Sequence, residues 1–309
     1  MVRVPSFLGL VIIIGVLPTL ASAQGFGGTF IPIGSLSLHA LYSPSPSKIR
    51  LTSSGEGRPG NAGSGEGELT WRSEGIWLGA DLTVDLAPRF TVTTTASYLF
   101  PFYKYSSVSV REITNVFNLQ SDLDVEPQWF ATDLEVDWRY SDSISLVGGV
   151  RYDYLIATFT AGPEIAALLA PSDPLRADLN VNSIFPYLGI RNQLGGDWGK
   201  LICTAKGFPF GIASEGAPDK AYFAEIDVKY GISPYDNMML QLDARWQTAR
   251  ALFKGLSVIS SIFNPDPNQA QRSGFVEADL AVHWQQFYLG AEVLVDFSLS
   301  DLLPFNISL

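Results

Sequence analysis

The stretch Ile76-Trp-Leu-Gly-Ala-Asp-Leu-Thr-Val-Asp-Leu86 decides the fold. Ile76, Leu78, Ala80, Leu82, Val84 and Leu86 are apolar, and Asp81, Thr83 and Asp85 stand between them. Successive side chains of a β-strand point to opposite faces, so this period of two sets one face against an apolar phase and the other against water. The alternation recurs at 90–100, 129–140, 144–156, 184–194, 197–208, 221–231, 237–248, 275–285 and 286–297. Tight-turn residues separate these runs pairwise, at Leu86-Ala-Pro-Arg89, Ser141-Asp-Ser143, Gly195-Gly196, Ser233-Pro-Tyr-Asp-Asn237 and near Gln285-Gln286. Five hairpins are therefore expected, joined by the longer links 101–128, 157–183, 209–220 and 249–274.

Residues 1–23 read as a cleaved signal peptide. Arg3 supplies the positive start, Phe7 to Leu20 the apolar core, and Ala21-Ser-Ala23 the small-residue cleavage site. The remainder, 24–309, is expected to be one domain. It contains no run of apolar residues long enough for a spanning helix. The chain is 47% hydrophobic and only 17% charged, below the roughly 25% charge of ordinary soluble domains. Low charge without spanning helices fits strands that face hydrocarbon; a secreted β-sandwich would alternate too and remains the competing fold. Cys203 is the single cysteine, so no disulfide framework exists. A formal charge of −11 without Lys/Arg clusters argues against nucleic acid as a partner.

An opening strand at 35–42 and a closing strand at 302–309 complete the count. The reading is an all-β, transmembrane, antiparallel up-and-down barrel of about twelve strands, with ten as the alternative. Both ends then lie on the side of the short turns, which is the periplasmic side in bacterial barrels.

The C-terminus supplies a resemblance. Leu303, Phe305, Ile307 and Leu309 alternate to the last residue, and Tyr288-Leu-Gly290-Ala-Glu-Val293-Leu-Val295-Asp-Phe297 has an internal glycine and an aromatic end. Both stretches resemble the C-terminal β-signal of bacterial outer-membrane proteins. If 288–297 is the signal, then 298–309 is a tail. The resemblance implies a barrel in a Gram-negative outer membrane, with the insertion machinery, outer-membrane lipid and lipopolysaccharide as partners. Phe90, Trp138, Tyr140, Tyr230 and Trp284 fall on the apolar parity near turn ends, as an interfacial girdle requires.

Taking the apolar parity as outward, the opposite parity lists the lumen. Asp81, Asp85, Asp133, Glu135, Asp137, Asp153, Glu225, Asp227, Asp243, Glu277, Asp279, Glu292 and Asp296 would face inward, with Arg139, Arg151, Arg191, Lys200, Lys206, Lys229 and Arg245. The acid excess predicts cation preference if a pore is open. The structural alternative is an interior filled by ion pairs between strands. Asp133, Glu135 and Asp137 share a face at about 7 Å spacing, and are expected to pair with Arg151 or another base on the adjacent strand rather than to hold calcium.

The 43–70 link, rich in Gly, Ser and Pro, reads as a solvated loop, and Pro163 to Ala170 as a short helix. Ala251 to Phe263 is apolar enough either to fold into the barrel mouth, the favoured placement, or to lie along the outer leaflet or contact another protomer. Asn264-Pro-Asp266-Pro-Asn268 is turn chemistry rather than a metal site. Ser37 and His39 share the inward face without an identified third group, and His283 reads as a hydrogen-bonded lumen histidine. No catalytic residue, metal site or cofactor is expected, and the chain is not expected to be an enzyme. The functional expectation is a porin-like channel for small solutes or cations. Its alternative is a closed structural barrel whose extracellular loops bind a partner.

Overall fold

Each alternating run becomes part of one antiparallel sheet that closes on itself. The computed structural model describes residues 33–42, 47–55, 65–73, 75–102, 108–112, 120–121, 123–161, 176–196, 199–209, 212–213, 221–256 and 277–298. The leader, the 163–170 segment, 257–276 and the 302–309 strand expected from the sequence lie outside these residues. Ten staves form the barrel: β1 (Ile33–Tyr42), β2 (Gly75–Ala87), β3 (Phe90–Pro101), β4 (Leu123–Arg139), β5 (Ile144–Ala161), β6 (Arg176–Gly196), β7 (Gly199–Phe208), β8 (Tyr222–Tyr235), β9 (Met238–Leu256) and β10 (Glu277–Ser298). Neighbours in sequence are neighbours in the sheet, and β1 pairs β10 from Ile33↔Ser298 to Tyr42↔Leu289 to close the ring. Closure satisfies both edges of every stave, the condition for a sheet to cross a bilayer.

The β2–β3, β4–β5, β6–β7 and β8–β9 connections are tight, and all lie at one end with the start of β1 and the end of β10. Pro88, Ser141, the 195–196 glycines and Asn237 make these reversals as the sequence foretold. Gly199 starts β7 at φ 118°, in the left-handed region that favours glycine.

Several staves continue past an interruption toward the other end. Ser47–Gly55 runs on from β1 along β10, with Lys48 opposite Gln285, and Gly65–Ser73 returns beside it into β2. Val108–Glu112 pairs with that return, Gln120–Ser121 with Val108 and Ser109, and Ile212–Ala213 with β6. The link expected to be a solvated loop at 43–70 thus contains two paired strands. Likewise 108–112, 123–128, 157–161, 176–183 and 249–256, within the other expected links, are strand. β10 alone has 22 residues; at about 3.3 Å per residue and a tilt near 45° it rises roughly 50 Å, twice the ~25 Å apolar band of such barrels.

The apolar face changes sides along the staves. Near the tight turns, Leu36, Leu38, Leu134, Val136, Leu188, Ile190, Leu242, Leu289 and Val293 are exposed on the outside. Nearer the long connections Trp77, Leu99, Trp129, Leu155, Phe185, Phe223, Val282 and Trp284 are buried on the inside. On β10 the change falls between Trp284, buried inward, and Phe287, exposed outward, and Gln285 and Gln286 sit at the switch. A strand that leaves lipid for water must invert its pattern this way, because outside the bilayer the dry side is the barrel interior.

This inversion corrects three expectations. Gln285-Gln286 is not a turn, since 277–298 is one continuous strand; the barrel has the ten staves of the alternative count rather than twelve, with Tyr288 to Phe297 in the closing stave. Trp284 is not a girdle residue, whereas Phe90, Trp138, Tyr140 and Tyr230 are exposed near the turns as expected. Glu277 and Asp279 fall on the opposite parity of β10 to Glu292, so the three cannot share the inner face. Hydrogen exchange checks the continuous strand. The amides of Gln285–Phe287 that pair with β9 are expected to exchange as slowly as those of Leu289–Val293; exchange as fast as at Ser141–Ser143 would restore the turn.

Candidate functional site

Inward positions of the turn-proximal half carry nearly all the charge the sequence assigned to the lumen. Asp133, Glu135 and Asp137 project from β4, Arg151 and Asp153 from β5, Arg191 from β6, Lys206 from β7, Glu225, Asp227 and Lys229 from β8, Asp243 and Arg245 from β9, and Glu292 from β10. The structure gathers them into a lattice of ion pairs, several of which reach over intervening staves. Lys206 Nζ donates to Asp133 Oδ2 at 2.9 Å and Glu135 Oε2 at 3.1 Å, and lies 3.4 Å from Glu225 Oε1. Arg191 Nη1 donates to Asp137 at 2.5 Å, and its Nη2 pairs with Glu135. Arg151 grips Asp153 with two donors at 2.8 and 2.9 Å and lies 3.7 Å from Glu225. Lys229 donates to Glu292 at 2.5 Å, and Arg245 to Asp243 at 3.1 Å.

Asp133 and Arg151 are register neighbours, yet the base closest to Asp133 is Lys206, three staves away, rather than one on the adjacent strand. Tyr187 explains part of this choice. Its ring lies 4.4 Å from Lys206 Nζ, and its hydroxyl donates to Asp133 Oδ1 at 2.5 Å while lying 3.1 Å from Glu135 Oε2. To reach β4 from β6 it must cross β5, and it does so over Gly149, its register partner. A Cβ there would fall 2.5 Å from the Tyr187 hydroxyl. Gly149 is the only residue type that leaves this path open.

A layer of aromatic side chains lies beyond the ion pairs. Trp129 on β4 meets Trp284 on β10 edge to face at 5.2 Å, and Trp284 meets Phe185 on β6 at 5.7 Å. Trp77 packs on Trp129 at 5.4 Å, and Phe185 stacks on Phe223 at 5.8 Å. β4 and β6 are each four staves from β10, so these contacts span the lumen. Trp129 is 0% and Trp284 1% exposed. The layer joins the ion pairs directly, because Trp129 Nε1 donates to Asp153 Oδ1 at 3.0 Å and Arg151 lies 5.7 Å over the Phe223 ring.

Among the described residues two spaces lie on the turn side. A polar cavity of about 90 Å³ lies between the ion pairs and the Thr93, Thr95, Ser97 wall of β3, enough for about three waters at about 30 Å³ each. Asp81, Glu225 and Asp227, which line it, each have a buried carboxylate oxygen without a hydrogen-bond partner in the protein. At the rim, a vestibule of about 620 Å³ is lined by Gln193, Gly195, Lys200, Gly231 and Met239 among others.

Asp81 also supplies the third group near Ser37 and His39. The Ser37 hydroxyl donates to Asp81 Oδ2 at 2.9 Å, and His39 Nδ1 lies 3.3 Å from the same oxygen. A nucleophile relay needs the serine bonded to the histidine, and here both compete for one carboxylate oxygen. His283 faces outward rather than into the lumen, with Nε2 3.2 Å from Thr248 Oγ1. Cys203 is exposed on the outer face, as its parity implied. Among the described residues no group of three or more His, Cys, Asp or Glu side chains is placed to hold a metal ion.

No protein-family model matches the chain, and no curated protein matches it. Among solved structures, the outer membrane protease OmpT from Escherichia coli aligns over 89% of this chain and 100% of its own, at 11% identity and TM-score 0.57. The chain has the fold of a bacterial outer-membrane β-barrel. At that identity the likeness is one of fold alone. The translocator domain of the autotransporter NalP from Neisseria meningitidis aligns over 94% of this chain and 98% of its own at 11% identity, with a TM-score of 0.36. A Pseudomonas aeruginosa FadL homologue aligns over 86% and 90% at 10% identity, with a TM-score of 0.31.

The sequence reading found the ionic groups of this barrel from parity alone. It missed Tyr187 and the aromatic layer, because it took every apolar position as outward. The signal available was the phase change itself, visible where Val282 and Trp284 give way to Phe287 and Leu289. Replacing Lys206 with Met removes the cation shared by Asp133, Glu135 and Glu225, and is expected to destabilise the folded barrel by about 3–5 kcal/mol. Urea unfolding of vesicle-reconstituted protein measures this, and Lys206→Arg should recover most of the loss. An unchanged midpoint would mean that the pairs do not hold the staves.

Proposed function

We propose that the protein is a closed barrel of the bacterial outer membrane, anchored by its turn-proximal half and working through the part that stands above the bilayer. The observation that carries this reading is the aromatic bridge from Trp129 through Trp284 to Phe185 across the lumen. The ion pairs lie beneath it, and both layers are built from side chains that reach between non-neighbouring staves. Filled lumens are ordinary for barrels of this size. The barrel then acts as a rigid pedestal, and the elevated rim that carries the five long connections presents a surface to an extracellular partner. No catalytic role is assigned, since the Ser37 hydroxyl is engaged by Asp81 and not by His39.

A porin-like channel is the second reading, favoured by the 620 Å³ vestibule and the 90 Å³ cavity on the turn side. In that reading the aromatic layer is a gate, and the excess of inward carboxylates selects cations. Planar-bilayer recording of the refolded protein across a salt gradient separates the two. The closed barrel is expected to stay silent, and the double substitution Trp129→Ala, Trp284→Ala to raise leak current. Steady conductance of the unaltered protein with a cation-selective reversal potential would establish the channel instead.

A further inference from the structure

The β2–β3 hairpin is a stretch of lumen wall without a base. No Lys or Arg stands between Gly75 and Ala87 on β2 or between Phe90 and Pro101 on β3. Inward positions pair across the hairpin as Asp85 with Thr91, Thr83 with Thr93 and Asp81 with Thr95, three rungs of side-chain oxygen that lead from the turn end into the barrel. The Thr91 hydroxyl donates to Asp85 Oδ1 at 2.6 Å, and the Thr83 and Thr93 hydroxyls lie 3.0 Å apart. The innermost rung opens on the polar cavity of about 90 Å³, which Glu225 and Asp227 of β8 line from four staves away.

The charge at this level does not balance. With Asp81, the ionic lattice holds nine carboxylates and five bases, and each of the five bases already makes an ion pair. The mouth does not make up the difference, because Arg139 and Lys200 there are matched in number by Asp85 and Asp296. His39, beside Asp81, offsets one charge at most. Four carboxylates are thus in excess, and four have a buried oxygen without a hydrogen-bond partner in the protein, namely Asp81 Oδ1, Glu225 Oε2, Asp227 Oδ1 and Asp243 Oδ1. Asp81, Glu225 and Asp227 line the cavity. Lys229 and Arg245 each act on Asp81, Asp227 and Asp243 together, and Lys229 is engaged by Glu292 at 2.5 Å. Water completes the hydrogen bonds of such oxygens without cancelling their charge, and uncompensated charge inside a ring of lipid-facing staves is costly. A proton would cancel the charge but leave the adjoining oxygen-lined space unused.

We propose that the cavity binds one monovalent cation of sodium or potassium size, held by Asp81 and Asp227 with the Thr95 hydroxyl and water, and admitted along the oxygen rungs of β2 and β3. Hard cations take carboxylate, hydroxyl and water oxygens. The volume admits such an ion with about two waters at ~30 Å³ each, and is too small for an organic cation such as N-methylglucamine. A divalent ion takes more carboxylate oxygen than this, and among the described residues no three acidic or imidazole groups converge to supply it. The inference goes beyond the closed-barrel reading and does not depend on it, since a bound ion fits a sealed lumen and a conducting one alike.

The test follows the urea unfolding midpoint of the full-length protein in vesicles as sodium or potassium chloride replaces N-methylglucamine chloride at constant ionic strength. A ligand that binds only the folded state raises stability with its concentration, so the midpoint should climb as the small cation replaces the large one. Asp81→Asn and Asp227→Asn should each abolish that rise, and Asp137→Asn, whose carboxylate lies outside the cavity, should keep it. If an asparagine variant does not fold, Thr95→Val carries the same test, because it removes a proposed ligand and no charge and should weaken the rise. A midpoint that is the same in all three salts, or a rise that survives both asparagine substitutions, would overturn the site. A midpoint that moves with pH and not with the cation would assign the excess charge to protons, and would overturn it equally.

Discussion

Every stave must serve two solvents. Where the outside is hydrocarbon, charge can lie only inside; where the outside is water, the barrel interior becomes the place to bury apolar surface. The inversion between Trp284 and Phe287 on β10 is this constraint written into one strand. Its consequences divide the lumen into two layers, ionic beside the membrane-spanning belt and aromatic above it.

Neither layer is stable alone. A buried ion pair gains Coulomb energy only after a large desolvation cost, so it holds when several donors converge and water is restricted. Lys206 meets three carboxylates, two of them on β4 and one on the adjacent β8, and Arg191 meets two on β4. These pairs tie staves two and three apart around the ring, whereas backbone ladders tie only adjacent strands. The aromatic layer limits water from above and is fastened to the ionic layer by the Trp129 bond to Asp153. Tyr187 belongs to both, with its ring on Phe223 at 5.9 Å and its hydroxyl on Asp133. Gly149 makes that double role sterically possible.

Much of this was legible in the sequence. Alternation gave the all-β barrel and both the four true hairpins and their turns, since period and turn chemistry are local properties. The inward carboxylates of β2, β4, β5, β8 and β9 followed from the same parity. What misled was the assumption of a single phase. Two consecutive glutamines at 285 and 286 look like a turn when the outside is taken to be lipid throughout, and like a water line once the strand is known to emerge. Glu277, Asp279, His283 and Trp284 were all assigned to a face by that one assumption. The partners of the ionic groups were not legible at all, because a base three staves away is set by barrel curvature and by the gap over Gly149, which no spacing in the chain encodes.

The central claim is that side chains from opposite walls meet and seal the lumen. Dipolar recoupling by solid-state NMR, on protein reconstituted in lipid with labelled tryptophan, measures it most directly. The account predicts a through-space correlation between the Trp129 and Trp284 rings at the 5.2 Å centroid separation, lost on replacing either residue with Phe. Well-resolved signals from both rings with no correlation between them would mean that the walls stand apart and the lumen is open.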